Sequence, residues 1–389
     1  MDITLIVALV IVLALFFDFT NGFHDTANAM ATPIATGALK PKVAVAIAAV
    51  LNLVGAFLST EVAKTISGGL IREGESGIQI TPVMIFAGLI GAIVWNMVTW
   101  LLGLPSSSSH ALFGGLIGAT IVGAGFGAID GGVLLSKIVL PALLAPAIAA
   151  VVAFTATKIA LAIARGSEST TGSFRYGQIF TSSLVSLAHG TNDAQKTMGV
   201  ITLTLVAAGF QAGGTGPEFW VIAVCALAIA LGTYMGGWRI IRTLGAGITD
   251  VSPPQGFAAE ASTTATILAS SHLGFALSTT QVASGSVIGA GLGKDRQGVR
   301  WKVAGRIAIA WLITLPAAAL MAAAAELIAR IGPIGIAIDA AIGLGVIVFI
   351  FLRSRHNKVD ASNVTDLIPV VPDDPSALSG TVEKTEKAL

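Results

Sequence analysis

The sequence contains few charged residues: Asp, Glu, Lys and Arg together make up 11% of its 389 residues. Soluble domains contain about 25% of these residues, which a soluble chain of this length needs to cover its surface. The formal net charge is only +1, so the positive charge expected of a nucleic-acid-binding protein is also missing. These absences exclude a cytosolic enzyme, a nucleic-acid partner and a disordered chain.

The sequence also contains a single cysteine, Cys225, which excludes a disulfide framework and a cysteine-based metal site. Hydrophobic residues, by contrast, make up 54% of the chain. The sequence is therefore predicted to be an all-α polytopic membrane protein, with room for roughly ten or more spans at about 20 residues each. No basic segment precedes the first apolar run, which starts at Ile3. We interpret this run as a membrane helix rather than a cleavable signal.

Two apolar stretches, 3–38 and 177–210, are too long for one straight span. Each contains a polar interruption that includes glycine, at Asn21-Gly in the first stretch and at His189-Gly in the second. Asparagine, histidine and glycine are poor formers of a membrane helix interior. The pattern predicts that both long segments are broken helices.

Two other apolar stretches, 106–127 and 277–292, are rich in Gly, Ser and Thr. Each follows another apolar stretch with no charged loop between them. Irregular backbone at membrane depth is tolerated where it is buried in protein. We predict that these stretches are re-entrant or hairpin elements that meet at the midplane of the membrane.

Lys and Arg are unequally distributed between the two sets of predicted loops, with fourteen in one set and four in the other. By the positive-inside rule, the first set is cytoplasmic. The N-terminus is then predicted to lie outside and the C-terminus in the cytoplasm, in a multi-pass protein of the inner (cytoplasmic) cell membrane. The polar C-terminal tail, 354–389, is predicted to be disordered.

Two motifs occur twice in the chain. Asn21-Gly-Phe-His-Asp-Thr-Ala-Asn-Ala-Met corresponds to His189-Gly-Thr-Asn-Asp-Ala-Gln-Lys-Thr-Met, with an offset of 168 residues. Ser107-Ser-Ser-His corresponds to Ser278-Thr-Thr-Gln, with an offset of 171 residues. Two nearly equal offsets indicate that a whole half of the chain is duplicated.

The charge distribution places the starts of the two halves on opposite sides of the membrane, so the internal repeats are predicted to have inverted topology. Inverted repeats with interrupted membrane segments are typical of secondary transporters, whose binding site lies at the repeat interface. The predicted organisation is a first repeat at 1–163, a cytoplasmic linker at 164–176, a second repeat at 177–330 and a last membrane helix at 331–353.

The first motif carries a membrane carboxylate in each half. A carboxylate at membrane depth costs about 2.5–3.5 kcal/mol, so such residues usually bind a cation or carry a proton. The alternative is a structural cap on a broken helix. The candidate coupling-ion residues are Asp25, Asn28, Asp193, His24, Asn192 and Asn21, with His189 as a further candidate.

The second motif carries hydroxyl residues ahead of a Gly-rich apolar run. Hydroxyls and free N–H groups at a helix start form an anion-binding site, although ordinary helix caps have the same composition. Two such helix starts facing each other would hold a tetrahedral oxyanion from two sides. The candidate anion-binding residues are Ser107, Ser108, Ser109, Ser278, Thr279, Thr280, Gln281 and Lys196, with His110 as a further candidate for binding or proton handling.

Taken together, the two copies of the first motif, Pro105-Ser-Ser-Ser-Ser-His-Ala-Leu and Leu277-Ser-Thr-Thr-Gln resemble the inorganic phosphate transporter (PiT) family, in its bacterial low-affinity form. The resemblance covers about residues 10–350. It implies a secondary transporter that imports inorganic phosphate with Na⁺ or H⁺. It also implies that Asp25, Asn28 and Asp193 bind the coupling ion, and that the Ser and Thr residues of the second motif line the phosphate site.

The sequence departs from the family pattern at three positions. Sodium-coupled members commonly have Asn-Asp-Val-Ala-Asn in both halves, whereas here His24 precedes the first aspartate and Lys196 replaces the second asparagine. Gln281 stands where the family usually has histidine. Lysine cannot ligate Na⁺, and histidine titrates near neutral pH. We therefore predict proton coupling, with Asp25, Asp193 and His24 as carriers and Lys196 as a constant positive partner of Asp193 or of phosphate.

Several alternatives stay open at this stage. The coupling ion could be Na⁺ bound at Asp25, Asn28 and Asp193, and the substrate could be another tetrahedral oxyanion such as sulfate, or a metal–phosphate complex. No hydrolase, zinc or nucleotide-binding motif is present, so the protein is predicted not to be an enzyme and to need no cofactor or resident metal. The predicted partners are phosphate, H⁺ or Na⁺, and membrane lipid, and the small-residue helix faces are compatible with a homodimer.

Overall fold

The computed structural model describes residues 2–69, 80–164, 168–273, 275, 277–295 and 298–365. The described chain is helical and contains no strand, which confirms the predicted all-α class. The helices are α1 Ile3–Ala35, α2 Pro41–Gly55, α3 Glu61–Gly69, α4 Pro82–Leu101, α5 Ser108–Ala124, α6 Gly131–Ala164, α7 Glu168–Ala207, α8 Phe219–Met235, α9 Trp238–Gly247, α10 Pro253–His272, α11 Thr279–Lys294, α12 Trp301–Ala329 and α13 Pro333–Ser354.

Helices α1–α6 and α7–α12 follow one another in the same order and make corresponding contacts. Helix α1 packs against α8 as α7 packs against α2, and α5 packs against α12 as α11 packs against α6. Helix α4 packs against α12 as α10 packs against α6. These correspondences match the duplicated motifs, and they make each half depend on the other for its packing. The opposite orientation of the two halves in the membrane stays a prediction.

Helices of different repeats approach each other closely at corresponding glycines. A Cβ atom on Gly118 of α5 would lie 2.1 Å from the carbonyl oxygen of Ala319, and one on Gly289 of α11 would lie 2.1 Å from that of Ala150. Small residues allow helix backbones in a membrane to pack at this distance. The Gly-rich composition of α5 and α11 therefore serves contacts between the repeats.

The two long helices are continuous, which differs from the predicted breaks at Asn21-Gly and His189-Gly. Helix α1 has 33 residues and α7 has 40. A Cβ on Gly22 would lie 2.3 Å from the carbonyl oxygen of Ile229, and one on Gly190 would lie 2.2 Å from that of Asn52. The glycines of the first motif therefore serve close helix packing, and His189, beside Gly190, contacts Asn52 of α2 rather than a broken backbone.

The stretches predicted as hairpin elements form the short helices α5 and α11, of 17 and 16 residues. Both begin inside the protein, because their N-cap residues, Ser107 and Ser278, are 0% and 4% exposed. The side chain of Ser107 accepts a hydrogen bond from the amide of His110, and that of Ser278 accepts one from the amide of Gln281. The two helix starts therefore have the same local structure.

Five of the described helices are long and apolar enough to cross a membrane, and the bent pair α8 and α9, which meet at 59°, raises this to six. The composition of the chain had suggested roughly ten or more spans. The difference arises because α2 and α5 have only 15 and 17 residues and α7 carries the polar motif at its centre. Helix α5 is buried from Ser108 to Thr120, whereas α2 exposes Val43, Val50 and Val54.

The predicted linker and the predicted disordered tail both contain residues that are structured. Helix α7 begins at Glu168, inside the stretch predicted as a linker, of which 165–167 lies outside the described residues. The first part of the predicted tail packs on the protein, where Arg242 Nη2 donates to the backbone carbonyl of Asn363 at 2.6 Å. The remainder of the tail, 366–389, also lies outside the described residues.

Candidate functional site

The first motif places Asp25 in the buried middle of α1. One carboxylate oxygen, Oδ1, lies 2.8 Å from Nδ1 of His24 and accepts a hydrogen bond of 3.1 Å from the hydroxyl of Thr280. Asp25 and His24 are 2% and 1% exposed. Oδ1 of Asp25 is therefore contacted both by His24, the residue before it on α1, and by Thr280 of the other repeat.

The second copy of the motif repeats this arrangement on α7. Oδ1 of Asp193 accepts a hydrogen bond of 2.8 Å from the amide of Asn192, the residue just before it, as His24 precedes Asp25. Oδ2 of Asp193 accepts a hydrogen bond of 3.0 Å from the hydroxyl of Thr279. In both repeats, therefore, the residue preceding the aspartate approaches Oδ1, and hydroxyls of α11 donate to both carboxylates.

Each copy of the first motif contacts the second motif of the other repeat. The amide of Asn28 donates to the hydroxyls of Thr279 and Thr280 at 3.3 and 3.1 Å. The ammonium of Lys196 donates to the hydroxyl of Ser109 at 2.6 Å and to the carboxylate of Asp193. Lys196 occupies the repeat position that corresponds to Asn28, so a fixed positive charge replaces a neutral amide in the second half.

The helix starts of α5 and α11 meet beside these groups. The hydroxyl of Ser109 donates to the carbonyl of Leu277 at 3.4 Å, and Nε2 of Gln281 lies 3.5 Å from Nδ1 of His110. Ser108 is 2% exposed, and its hydroxyl has no hydrogen-bond partner within the described part of the chain. A buried donor without a partner is costly, so this hydroxyl is suited to a ligand that brings an acceptor.

His189, a further candidate from the sequence, lies between the two carboxylates: it pairs with Asp193 four residues along α7, and only its approach to Asp25 depends on how the helices pack. Its Nε2 is 2.9 Å from Oδ2 of Asp193 and 4.0 Å from Oδ2 of Asp25, while its Nδ1 is 3.2 Å from Oδ1 of Asn52. One ligand atom each from Asp25, His189 and Asp193 fall within 4.8 Å of one another, a spacing that could hold a cation.

The predicted site residues are all buried, and nearly all belong to this one cluster. Asn192 also donates to the carbonyl of Leu277 at 3.1 Å and joins the second motif in that way. Asn21 is the exception, because no hydrogen bond within the described part of the chain joins its side chain to either aspartate. Its Oδ1 has no hydrogen-bond partner among the described residues.

The structure adds polar residues that the sequence reasoning missed. Nε2 of His24 lies 3.3 Å from the hydroxyl of Thr99 on α4. The carboxylate of Glu260 on α10 accepts hydrogen bonds from Thr32 at 2.5 Å, from Gln178 at 3.1 Å and from Thr181 at 2.7 Å. Glu260 is the one acidic residue in its apolar stretch, and this isolation was the available signal.

Comparisons with known proteins identify the family of the chain. The profile of the Phosphate transporter family matches residues 21–169 and, a second time, residues 160–322. The chain is 55% identical to a probable low-affinity inorganic phosphate transporter of Mycobacterium leprae over 94% of this chain and 89% of that protein. It is 44% identical to a protein of the same description from Bacillus subtilis over 84% and 98% of the two chains. A solved structure described as the sodium-dependent phosphate transporter shares the fold, with a TM-score of 0.74 and 24% identity over 84% of this chain and 99% of that chain.

Proposed function

Because the chain belongs to the Phosphate transporter family, we propose that it imports inorganic phosphate by symport with a cation, and that the cation is H⁺ rather than Na⁺. The protein is a multi-pass membrane transporter and not an enzyme. The proposal further places it in the cytoplasmic membrane, with its N-terminus outside and its C-terminus inside, as the distribution of Lys and Arg predicts.

The observation that carries the proton proposal is the position of Lys196. Its ammonium is 1% exposed and donates to Asp193, to the hydroxyl of Ser109 and, at 3.0 Å, to the carbonyl of Leu277. A buried ammonium on Asp193 occupies the place where a metal cation would bind that carboxylate. The second half of the site therefore has its own cationic side chain paired with the carboxylate, which needs no Na⁺ for neutralisation.

Coupling follows from competition for the hydroxyl protons. The hydroxyls of Thr280 and Thr279 each have one proton, and they use it in hydrogen bonds to Asp25 and Asp193. A proton bound by Asp25 makes that carboxyl neutral, which releases the Thr280 hydroxyl as a donor and removes the repulsion between the carboxylate and a phosphate anion. Proton and phosphate then each raise the affinity for the other, as linkage requires.

The phosphate site proposed here is made from both repeats. It would comprise Ser107, Ser108 and Ser109 of α5, Ser278, Thr279, Thr280 and Gln281 of α11, and Lys196. Contacts between Ser109 and Leu277, between His110 and Gln281, and between Lys196 and Ser109 support this grouping. Free N–H groups at two helix starts favour an anion. Phosphate can also donate a hydrogen bond, so an ionised carboxylate nearby favours phosphate over sulfate, which has no proton to donate at neutral pH.

Sodium coupling is the second candidate, and one observation favours it. Oδ1 of Asn28 has no hydrogen-bond partner within the described residues, and Asp25, His189 and Asp193 offer ligand atoms close together. Asp25 and Asn28 would hold the ion, which would supply the positive charge that protons supply in the first candidate. The matching position in the second half is taken by Lys196, which restricts such a site to the first half.

The test is uptake of radiolabelled phosphate into proteoliposomes that contain the purified protein. An inward proton gradient and an inward sodium gradient are imposed separately, and sulfate is added as a competitor. Accumulation with the proton gradient alone, unaffected by sulfate, is the expected result. Accumulation that requires sodium and is independent of pH would refute proton coupling. Uptake of sulfate in place of phosphate would refute the proposed substrate.

A further inference from the structure

Asp18 is a second buried carboxylate on α1 that the central site does not use. It is 0% exposed, and neither of its carboxylate oxygens has a hydrogen-bond partner among the described residues. It precedes Asp25 by seven residues, which is two helical turns, so the two side chains lie on the same side of α1. The other buried aspartates of the core, Asp25 and Asp193, are each held by several donors.

The groups around Asp18 leave it without a positive partner of its own. The charged and titratable groups within electrostatic range of Asp18 are Asp193, His189 and Lys196 on α7 and Cys225 on α8. Helix α4 carries no titratable side chain. The ammonium of Lys196 is engaged by Asp193. An ionised Asp18 would thus be a buried charge without an ion pair of its own, which favours the protonated carboxyl.

Two further unpaired atoms near Asp18 complement a protonated carboxyl. The hydroxyl of Thr197 on α7 faces Asp18, and it has no hydrogen-bond partner within the described chain. Oδ1 of Asn21, three residues further along α1, is also unpaired, and residues at this spacing are neighbours on a helix. A protonated carboxyl has one donor and one acceptor oxygen. The donor suits the carbonyl oxygen of Asn21, and the acceptor suits the hydroxyl of Thr197.

We propose that Asp18 is a proton-binding site of this protein, separate from the central carboxylates, and that its proton is one of those that move with phosphate. The second part of the proposal rests on the proposed function, whereas the first part does not. The site consists of Asp18, Asn21 and Thr197. It gives a role to Asn21, which lies outside the central cluster. In the transport cycle Asp18 binds and releases one proton, without any change in its covalent bonds other than the O–H bond.

The first experiment counts protons per phosphate in proteoliposomes, with a pH-sensitive dye inside and radiolabelled phosphate outside. The variant D18N keeps the size and the neutral charge of the protonated residue but cannot exchange a proton. It is expected to move one proton fewer per phosphate than the unaltered protein, whereas D18E is expected to retain the full count. The variant D339N, which alters a buried aspartate of α13 outside the two repeats, is the matched control and is expected to leave the count unchanged.

The result that would overturn the proposal is an unchanged proton count in D18N. A different result, in which the unaltered protein moves no proton with phosphate, would refute the proposed coupling instead. In that case, and if D18N fails to fold, a second measurement decides whether Asp18 binds a proton. The infrared band of protonated carboxyl groups is compared between the unaltered protein and D18E at neutral pH. A shift of part of this band is expected, and an identical band would show that Asp18 is ionised and refute the proposal.

Discussion

Lys196 on α7 donates a hydrogen bond of 2.6 Å to the hydroxyl of Ser109 on α5, so a charged residue of one repeat holds the helix start of the other. The corresponding residue of the first repeat, Asn28, holds Thr279 and Thr280 in the same way. The site therefore has two related halves that differ in charge. This difference separates the roles of the two halves and leads to the first prediction.

The substitution Lys196→Asn gives the second half the residue that the first half already has. We expect proton-driven phosphate accumulation to fall about tenfold or more, since a hydrogen bond from a charged group contributes about 1.5–3 kcal/mol. We also expect uptake to become stimulated by sodium, because Asp193 is then free to bind a cation. Initial rates of uptake in sodium and in choline medium measure both effects. The exposed lysine variant Lys64→Asn serves as the control, and an unaltered response to protons in K196N would contradict the proposed role.

The substitution Thr280→Ala removes the hydroxyl that donates to Asp25. We expect the KM for phosphate to rise by about tenfold to a hundredfold, the range that corresponds to one hydrogen bond to a charged group. Thr280→Ser keeps the hydroxyl and is expected to retain most of the affinity. The dependence of the initial uptake rate on phosphate concentration gives the KM. Equal KM values for the alanine and serine variants would mean that the hydroxyl does not serve binding.

The buried pair of Asp193 and Lys196 predicts a particular pattern of stabilities. Asp193→Asn leaves the ammonium of Lys196 buried without its carboxylate, which is expected to cost about 3–5 kcal/mol. Replacement of both residues, in D193N/K196M, removes both charges and is expected to recover much of the lost stability. Phosphate transport is expected to be abolished in both variants. Thermal unfolding of the protein in detergent provides the comparison. A double variant no more stable than D193N would argue against a direct pairing.

The contact between α11 and α6 predicts that Gly289 tolerates no larger residue. In Gly289→Ala the new Cβ would lie 2.1 Å from the carbonyl oxygen of Ala150, so the helices must separate at a cost of about 1–3 kcal/mol. Gly305 of α12 is the matched control, because a Cβ there meets no atom within 4 Å. Gly305→Ala is expected to be neutral or slightly stabilising. If the melting temperatures of the two variants fell equally, the close approach of α11 to α6 would not be important for stability.

The composition and spacing of the sequence determined the class of protein and the duplication, and they indicated most of the residues of the candidate site. Few charges and many apolar residues are incompatible with a water-covered surface, and this argument needs no coordinates. The nearly constant offset between the motif copies indicated two halves, and the buried carboxylates and hydroxyls of those motifs proved to lie in one cluster. Such inferences succeed because they depend on residue type and on position along the chain.

The tertiary structure decided which of these residues meet and how the helices run. Gly22 and Gly190 were expected to break helices, yet their surroundings show that they admit the backbone of a neighbouring helix. The position of His189 between Asp25 and Asp193, and of Glu260 among Thr32, Gln178 and Thr181, follows from the packing of α1, α7 and α10. Sequence spacing defines neighbours only within a few residues on one helix. Contacts between residues far apart in the chain depend on how closely and at what register whole helices pack, and that is set by the sum of all their side chains.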